Sequence, residues 1–215
     1  MRRVVVLALL ALALPIMAVA DNITMTNTGG TIAISDMTGT NGLGTIGSST
    51  ITSHGSQLTQ WNSTTGHLGS VNYSTGALMS GSISGGGVFA GGGTFDVIGV
   101  GAWAKQLTGE TKNPITLFDG SFNGPVTWTL DSSSKQKSTY TLSGAITGTI
   151  WTGRLVNGTT SQNISILSQG QLNQGVGHVT MGTTGLATPE PGTLGLLGTG
   201  LVGVAGMFRR KLIKK

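Results

Sequence analysis

The sequence contains no cysteine. That excludes disulfide staples, thiol catalysis and thiolate-bound metals. A fold made from this chain must hold through its core and its hydrogen bonds. Charge is also scarce, with Asp, Glu, Lys and Arg at 9% of the residues. The formal net charge of +5 comes from the two ends. Arg2, Arg3, Arg209, Arg210, Lys211, Lys214 and Lys215 are seven of the twelve basic residues. Between residues 21 and 188, Lys105, Lys112, Lys135, Lys137 and Arg154 face Asp21, Asp36, Asp96, Glu110, Asp119 and Asp131, five minus six, a net of −1. That stretch has no basic stripe interleaved with aromatics, which argues against nucleic acid as a partner.

Catalytic patterns are missing as well. There is no G-x-S-x-G elbow. His54, His67 and His178 are scattered and lack the spacing of metal ligands. The five acids from Asp36 to Asp131 form no local motif. Only folding could pair them, as Asp96 with Asp119 or Asp131. Asp119-Gly-Ser121-Phe-Asn123-Gly124 imitates the start of a calcium loop, but position twelve is Leu130 where a bidentate Glu is needed. Five N-x-S/T sequons, at Asn22, Asn62, Asn72, Asn157 and Asn163, arise by chance in so polar a chain. The expectation is a protein that is not an enzyme and takes no metal or other cofactor.

No stretch between residues 21 and 188 shows a 3.6-residue period. What is there instead is alternation, the mark of short strands. Ile32 and Ile34 share a face, as do Ile115 and Leu117, then Val126, Trp128 and Leu130, then Tyr140 and Leu142, then Ile164 and Ile166. Breaks are expected at Gly29-Gly30, Asn41-Gly42, Gly85-Gly86-Gly87, Gly91-Gly92-Gly93, Asn123-Gly124-Pro125 and Asn157-Gly158. Frequent Ile, Val and Thr, with ten aromatics from Trp61 to Trp151, favour a folded all-β domain over disorder. The fold class expected is an antiparallel sandwich or barrel of short strands, with an irregular β-helix as the alternative.

A weak repeat runs through Gly81-Ser-Ile83-Ser-Gly85, Gly120-Ser-Phe122-Asn-Gly124 and Gly144-Ala-Ile146-Thr-Gly148. Each sets an apolar side chain between two glycines on one strand face, over which a large neighbour could lie. Among the aromatics, Trp128 reads as core and Trp151 as the better candidate for exposure.

The ends read as targeting segments. Met1-Arg2-Arg3, the apolar run Val4 to Leu14, Pro15 and then Ala18-Val19-Ala20 follow the order of a signal peptide. Residues 1–20 are therefore assigned to the signal peptide, with Ala18 and Ala20 at the cleavage site. Residues 21–188 are the exported domain. At the other end, Pro189-Glu190-Pro191 is a stiff extended segment. Seventeen residues without charge follow, Gly192 to Phe208, at the short end of the spanning range. Residues 209–215 then form a basic tail, in which Arg209, Arg210 and Lys211 mark the cytoplasmic side.

Pro189-Glu190-Pro191, an apolar helix and an Arg-rich cluster, in that order, resemble the PEP-CTERM sorting signal over residues 189–215. The resemblance implies a signal peptide at the other end, processing by signal peptidase and by the membrane protease exosortase, and a Gram-negative host that makes exopolysaccharide. It implies a cytoplasmic-membrane intermediate held through residues 192–208. From there the protein would pass to the cell surface, outer envelope or extracellular matrix. A structural or adhesive role is the expectation for the exported domain. The alternative is a carbohydrate-binding module for exopolysaccharide.

Overall fold

The computed structural model describes residues 22–37, 42–167 and 176–187. The signal-peptide residues Ala18 and Ala20, and the C-terminal Pro189, Glu190, Pro191, Arg209, Arg210 and Lys211, lie outside the described residues. The strands are β1 (Asn22–Ile34), β2 (Ile51–Trp61), β3 (Thr64–Ser74), β4 (Leu78–Ser82), β5 (Gly86–Phe89) and β6 (Gly92–Gly99). A short helix, α1 (Gly101–Thr108), precedes β7 (Ile115–Phe122), β8 (Val126–Ser133), β9 (Ser138–Ile150), β10 (Leu155–Ile166) and β11 (Val176–Ala187).

Eight antiparallel strands close into a barrel in the order β1-β2-β3-β6-β7-β9-β10-β11 and back to β1. Of the expected architectures the barrel is the one formed. The β-helix alternative is overturned, because a β-helix stacks parallel coils and every pairing here is antiparallel. Strand β9 allows three more strands to be attached. One edge pairs along its whole length with β10. On the other edge Ser138–Ser143 pair with β8, while Ile146–Ile150 pair with β7. Beyond β8 lie β5 and β4.

Apolar residues point into the barrel. Ile23 and Met25 are buried with Asn27 on β1, and so are Ile32 and Ile34 further along. Odd positions face inward first and even positions later, so the strand must take in an extra residue between them. It does so at Gly29-Gly30, with φ of 71° and 75°. There the register with β11 shifts, and a Cβ on Gly30 would sit 2.5 Å from the Ser56 nitrogen. The break expected at this pair is thus a bulge inside a strand. Asn157-Gly158 likewise falls within β10, and the actual turn there is Trp151–Arg154 between β9 and β10.

Ile32, Ile34, Val126, Trp128, Tyr140, Leu142, Ile164 and Ile166 are all buried, and Leu130 packs against them. An aromatic cluster fills the barrel centre. Tyr73 stacks on Phe95 at 5.8 Å, and Phe118 and Phe122 meet the Phe95 ring edge-on at 6.1 and 5.9 Å. Two copies of the glycine repeat make room for these rings. Gly120 and Gly148 are cross-strand partners, and the Phe118 ring lies over both, 2.7 and 2.8 Å from where their Cβ atoms would be. Gly144 leaves space for Phe122 and Val126. The copy at Gly81 is different, since Gly81 closes on the Gly86-Gly87 backbone.

The attached strands complete the core. Trp128 on β8 stacks on Tyr140 of β9 at 4.4 Å, and its indole N–H donates to the Ile83 carbonyl at 2.7 Å.

Helix α1 departs from the expectation of no helix. It runs for only eight residues and buries only Ala104, too short a stretch to set up a periodic signal. Gly109 ends it in the left-handed conformation, φ 74°, with its N–H on the Lys105 carbonyl.

Asn22 pairs with Ala187, and Ala187 with Asn157. Both ends of the described domain therefore leave from one end of the barrel. The β2–β3 turn, α1 and the β9–β10 turn are gathered at that same end. Among the described residues no helix is long and apolar enough to cross a membrane.

Candidate functional site

Three surfaces carry chemistry. The first is the outer wall. Antiparallel register places Gln60, Thr26, Thr183, Ser161, Ser143 and Thr127 in one row across β2, β1, β11, β10, β9 and β8. Each is a hydroxyl or an amide, and none carries charge. Cross-strand hydroxyls meet within this wall, as Thr26 with Thr59 at 3.0 Å and Thr127 with Ser143 at 2.7 Å. A groove of about 520 Å³ opens here, lined by Thr24, Thr26, Gln60, Thr159 and Thr183, with Gly185 leaving open space on its floor. Polar residues outside and apolar residues inside are the reverse of a membrane-spanning barrel.

The second is an acid pair. Asp96 on β6 and Asp119 on β7 are direct cross-strand partners. Partial burial pushes the Asp96 carboxyl above its ordinary range, and the negative Asp119 adds to the rise. Asp119 itself is exposed on the barrel wall. Asn72 lies across from Asp96, and Thr149 across from Asp119. This is the spatial pairing that sequence distance alone left open. Asp131 is not part of it, since its carboxylate accepts from the Thr141 hydroxyl at 2.8 Å. The calcium-like stretch from Asp119 is strand rather than loop through Phe122. Among the described residues no three His, Asp or Glu side chains come together as a metal cluster. His54, His67 and His178 sit on β2, β3 and β11.

The third is the end of the barrel from which both chain ends leave. Trp61 is buried there, with Trp103 at 6.3 Å and Trp151 at 5.8 Å. The Trp103 indole N–H donates to the Leu68 carbonyl at 2.9 Å. Trp103 and Trp151 are half-buried, so Trp151 is more exposed than the buried Trp128, while it still packs against the core. Leu107 and Leu155 beside them are 37% and 58% exposed.

The signal for the outer wall lay in the polar half of the alternation, Thr24-x-Thr26-x-Thr28 on β1 and Thr159-x-Ser161-x-Asn163 on β10. The signal for the tryptophan end did not exist locally, because its three rings come from three separate elements.

A family model described as the PEP-CTERM protein-sorting motif matches residues 187–211. The chain therefore carries that sorting motif at its C-terminus, and no other domain is recognised. The motif implies an exported protein, processed by exosortase and sorted to the cell surface. No curated protein and no solved structure matches the chain.

Proposed function

We propose that the exported domain is a non-catalytic surface or matrix protein with a structural or adhesive role. The row of uncharged hydroxyls and amides from Gln60 to Thr127 supports this reading best. Such a wall offers many hydrogen-bond donors and acceptors and no reactive group. A hydrolase needs an activated nucleophile or two acids flanking a bound substrate. The Asp96–Asp119 pair sits on an open strand surface, with Asp119 exposed.

A second reading, a carbohydrate-binding module for exopolysaccharide, draws on the 520 Å³ hydroxyl-lined groove. Stacking platforms are not arrayed on the wall, since the aromatics of the described strands point inward. Binding would therefore run through hydrogen bonds.

Exported material is expected to begin at Asp21, after Ala20, and to have lost its C-terminal segment at or near Pro189-Glu190-Pro191. Intact mass of surface-fractionated protein measures both ends. Incubation with the host's own exopolysaccharide then separates the roles. Neither binding nor cleavage leaves the structural role. Binding without cleavage supports the module. Cleavage abolished by Asp96→Asn or Asp119→Asn overturns the non-catalytic reading.

A further inference from the structure

We infer that Asn123-Gly124, in the turn between β7 and β8, is a site of spontaneous deamidation, and that the fold directs the reaction here and away from Asn157-Gly158. The inference goes beyond the proposed role and does not rest on it.

The reaction needs only the chain and water. The Gly124 nitrogen, giving up its proton to base, attacks the Asn123 Cγ. A nitrogen–carbon bond forms, the Cγ–Nδ2 bond breaks, and ammonia leaves with the proton. Water then opens the resulting succinimide ring at either carbonyl, giving aspartate or isoaspartate. One water is consumed and one ammonia released, with no oxidation. Two conditions favour ring closure. The next residue should be glycine, whose missing Cβ lets its nitrogen close on the side chain. That nitrogen should also be free of a strand ladder.

Sequence alone does not separate the two candidates. Both are Asn-Gly, and both asparagines are exposed. Their surroundings differ. Gly158 sits in mid-strand, opposite Ile146 of β9 on one side and Leu186 of β11 on the other. An interior strand gives each N–H to one neighbour or the other. A Cβ on Gly158 would lie 2.1 Å from the Gly185 carbonyl oxygen, so the sheet is closed tightly there. The Asn157 side-chain oxygen accepts from the Thr147 hydroxyl at 2.7 Å. Ring closure at Asn157 must wait for the sheet to open.

Asn123 stands between the end of β7 at Phe122 and the start of β8 at Val126. Its own N–H donates to the Ala145 carbonyl at 2.8 Å. Among the described residues no hydrogen bond holds its side chain, and none takes the Gly124 N–H. Gly124 has φ 110°, with open space where a Cβ would be. The turn also bridges a fork. Ser143 of β9 pairs with Thr127 of β8, while Ile146 pairs with Phe122 of β7. Deamidation sets a carboxylate at the point where the attached strands leave the barrel, and isoaspartate also lengthens the main chain there by one carbon.

The test uses the full chain, purified in detergent and aged in mildly alkaline buffer, with a second portion aged in concentrated urea. Tryptic cleavage after Lys112, Lys135 and Arg154 puts Asn123 and Asn157 in separate peptides. Mass spectrometry with electron-transfer fragmentation then reads conversion, and isoaspartate, at each. We expect Asn123 to convert at least tenfold faster than Asn157 in the folded chain, and the two rates to come within about threefold in urea, where no sheet protects either. Isoaspartate is expected among the products at 123. Equal rates in the folded chain, whether both fast or both slow, overturn the inference. So does a difference that persists undiminished in urea, since its cause would then be the local sequence. Conversion to aspartate alone overturns it too, because direct hydrolysis makes no ring.

Discussion

Asn27 and Gln162, 135 positions apart, exchange two hydrogen bonds inside the barrel, at 2.9 and 3.2 Å. The strand between them makes this possible. Gly182 on β11 is the cross-strand partner of both, and the two amides meet over the place its side chain would occupy. Asn27 also donates to Ser56 at 2.7 Å, and Gln162 to Thr160 at 2.8 Å, so the buried group is satisfied throughout.

A methyl group at Gly182 would lie 2.0 Å from the Gln162 oxygen and 2.2 Å from the Asn27 oxygen. Gly182→Ala is therefore expected to break the amide pair and to cost about 1–3 kcal/mol, the penalty for buried polar groups left unpaired. In a Gln162→Ala background one of the two clashes is gone, and the same change should cost less. Urea denaturation of the four proteins measures the coupling. Additivity within about 0.5 kcal/mol would mean that the two sites do not interact.

Trp128→Ala is expected to cost about 3–5 kcal/mol, since it removes a buried ring and its stack on Tyr140. Trp128→Phe should cost less, about 1–3 kcal/mol, largely because the Ile83 carbonyl loses its donor. Thermal or urea unfolding checks both. A cost within about 0.5 kcal/mol for the alanine variant would indicate a surface position.

Tyr73 gives a dependence on alkaline pH. Burial drives its phenol far above the ordinary tyrosine range, and the Ser53 hydroxyl, across the β2–β3 ladder, offsets only part of the rise. Neither oxygen has a partner at hydrogen-bond geometry. Below pH ~10 the phenol is protonated in both folded and unfolded chains, and stability from this group is constant. Above it the unfolded chain releases the proton first, so stability falls by up to about 1.4 kcal/mol per pH unit until the folded phenol also ionises. Tyr73→Phe should flatten that slope and change stability little at pH 8. Urea midpoints at pH 8 and 11 decide it, and a loss above about 2 kcal/mol at pH 8 would show a bonded hydroxyl.

The acid pair predicts the opposite sign for a substitution. Asp119→Asn removes a like charge facing Asp96 and should stabilise the barrel at pH 7 by about 0.5 kcal/mol. The raised Asp96 carboxyl should move down toward its ordinary range, as read by NMR titration. At pH 3, below the ordinary aspartate range, the charge repulsion is largely absent and the gain should shrink toward nothing. A variant no more stable than the parent at pH 7 would remove the repulsion from the account.

The strands themselves were legible because burial and alternation coincide. Tyr140 and Leu142 on β9, or Ile164 and Ile166 on β10, point inward as their spacing requires. Closure of the barrel was not legible. Nothing in the residues of β9 states that one edge will serve both β8 and β7, which is a matter of register over long sequence separations. Glycine misled in one consistent way. Gly29-Gly30 is locally indistinguishable from a turn, and only the switch from inward Asn27 to inward Ile32 shows that the strand continues. The Asp96–Asp119 pair and the tryptophan end were hidden for the same reason as closure, while the sorting motif was readable because all its parts are contiguous.

The seat of β1 has a consequence for the order of events during export. Its two neighbours are β2 and β11, so the first strand to emerge waits for the last before both of its edges are paired. A chain crossing the membrane N-terminus first presents Ile23, Met25 and Ile32 on an open edge until Val176–Ala187 has followed. Pairing over so long a separation is slow and leaves an edge open to other chains meanwhile. The barrel is thus a shape that cannot be completed in transit: its closure and the arrival of the sorting motif, which begins at the final residue of β11, fall at the same moment.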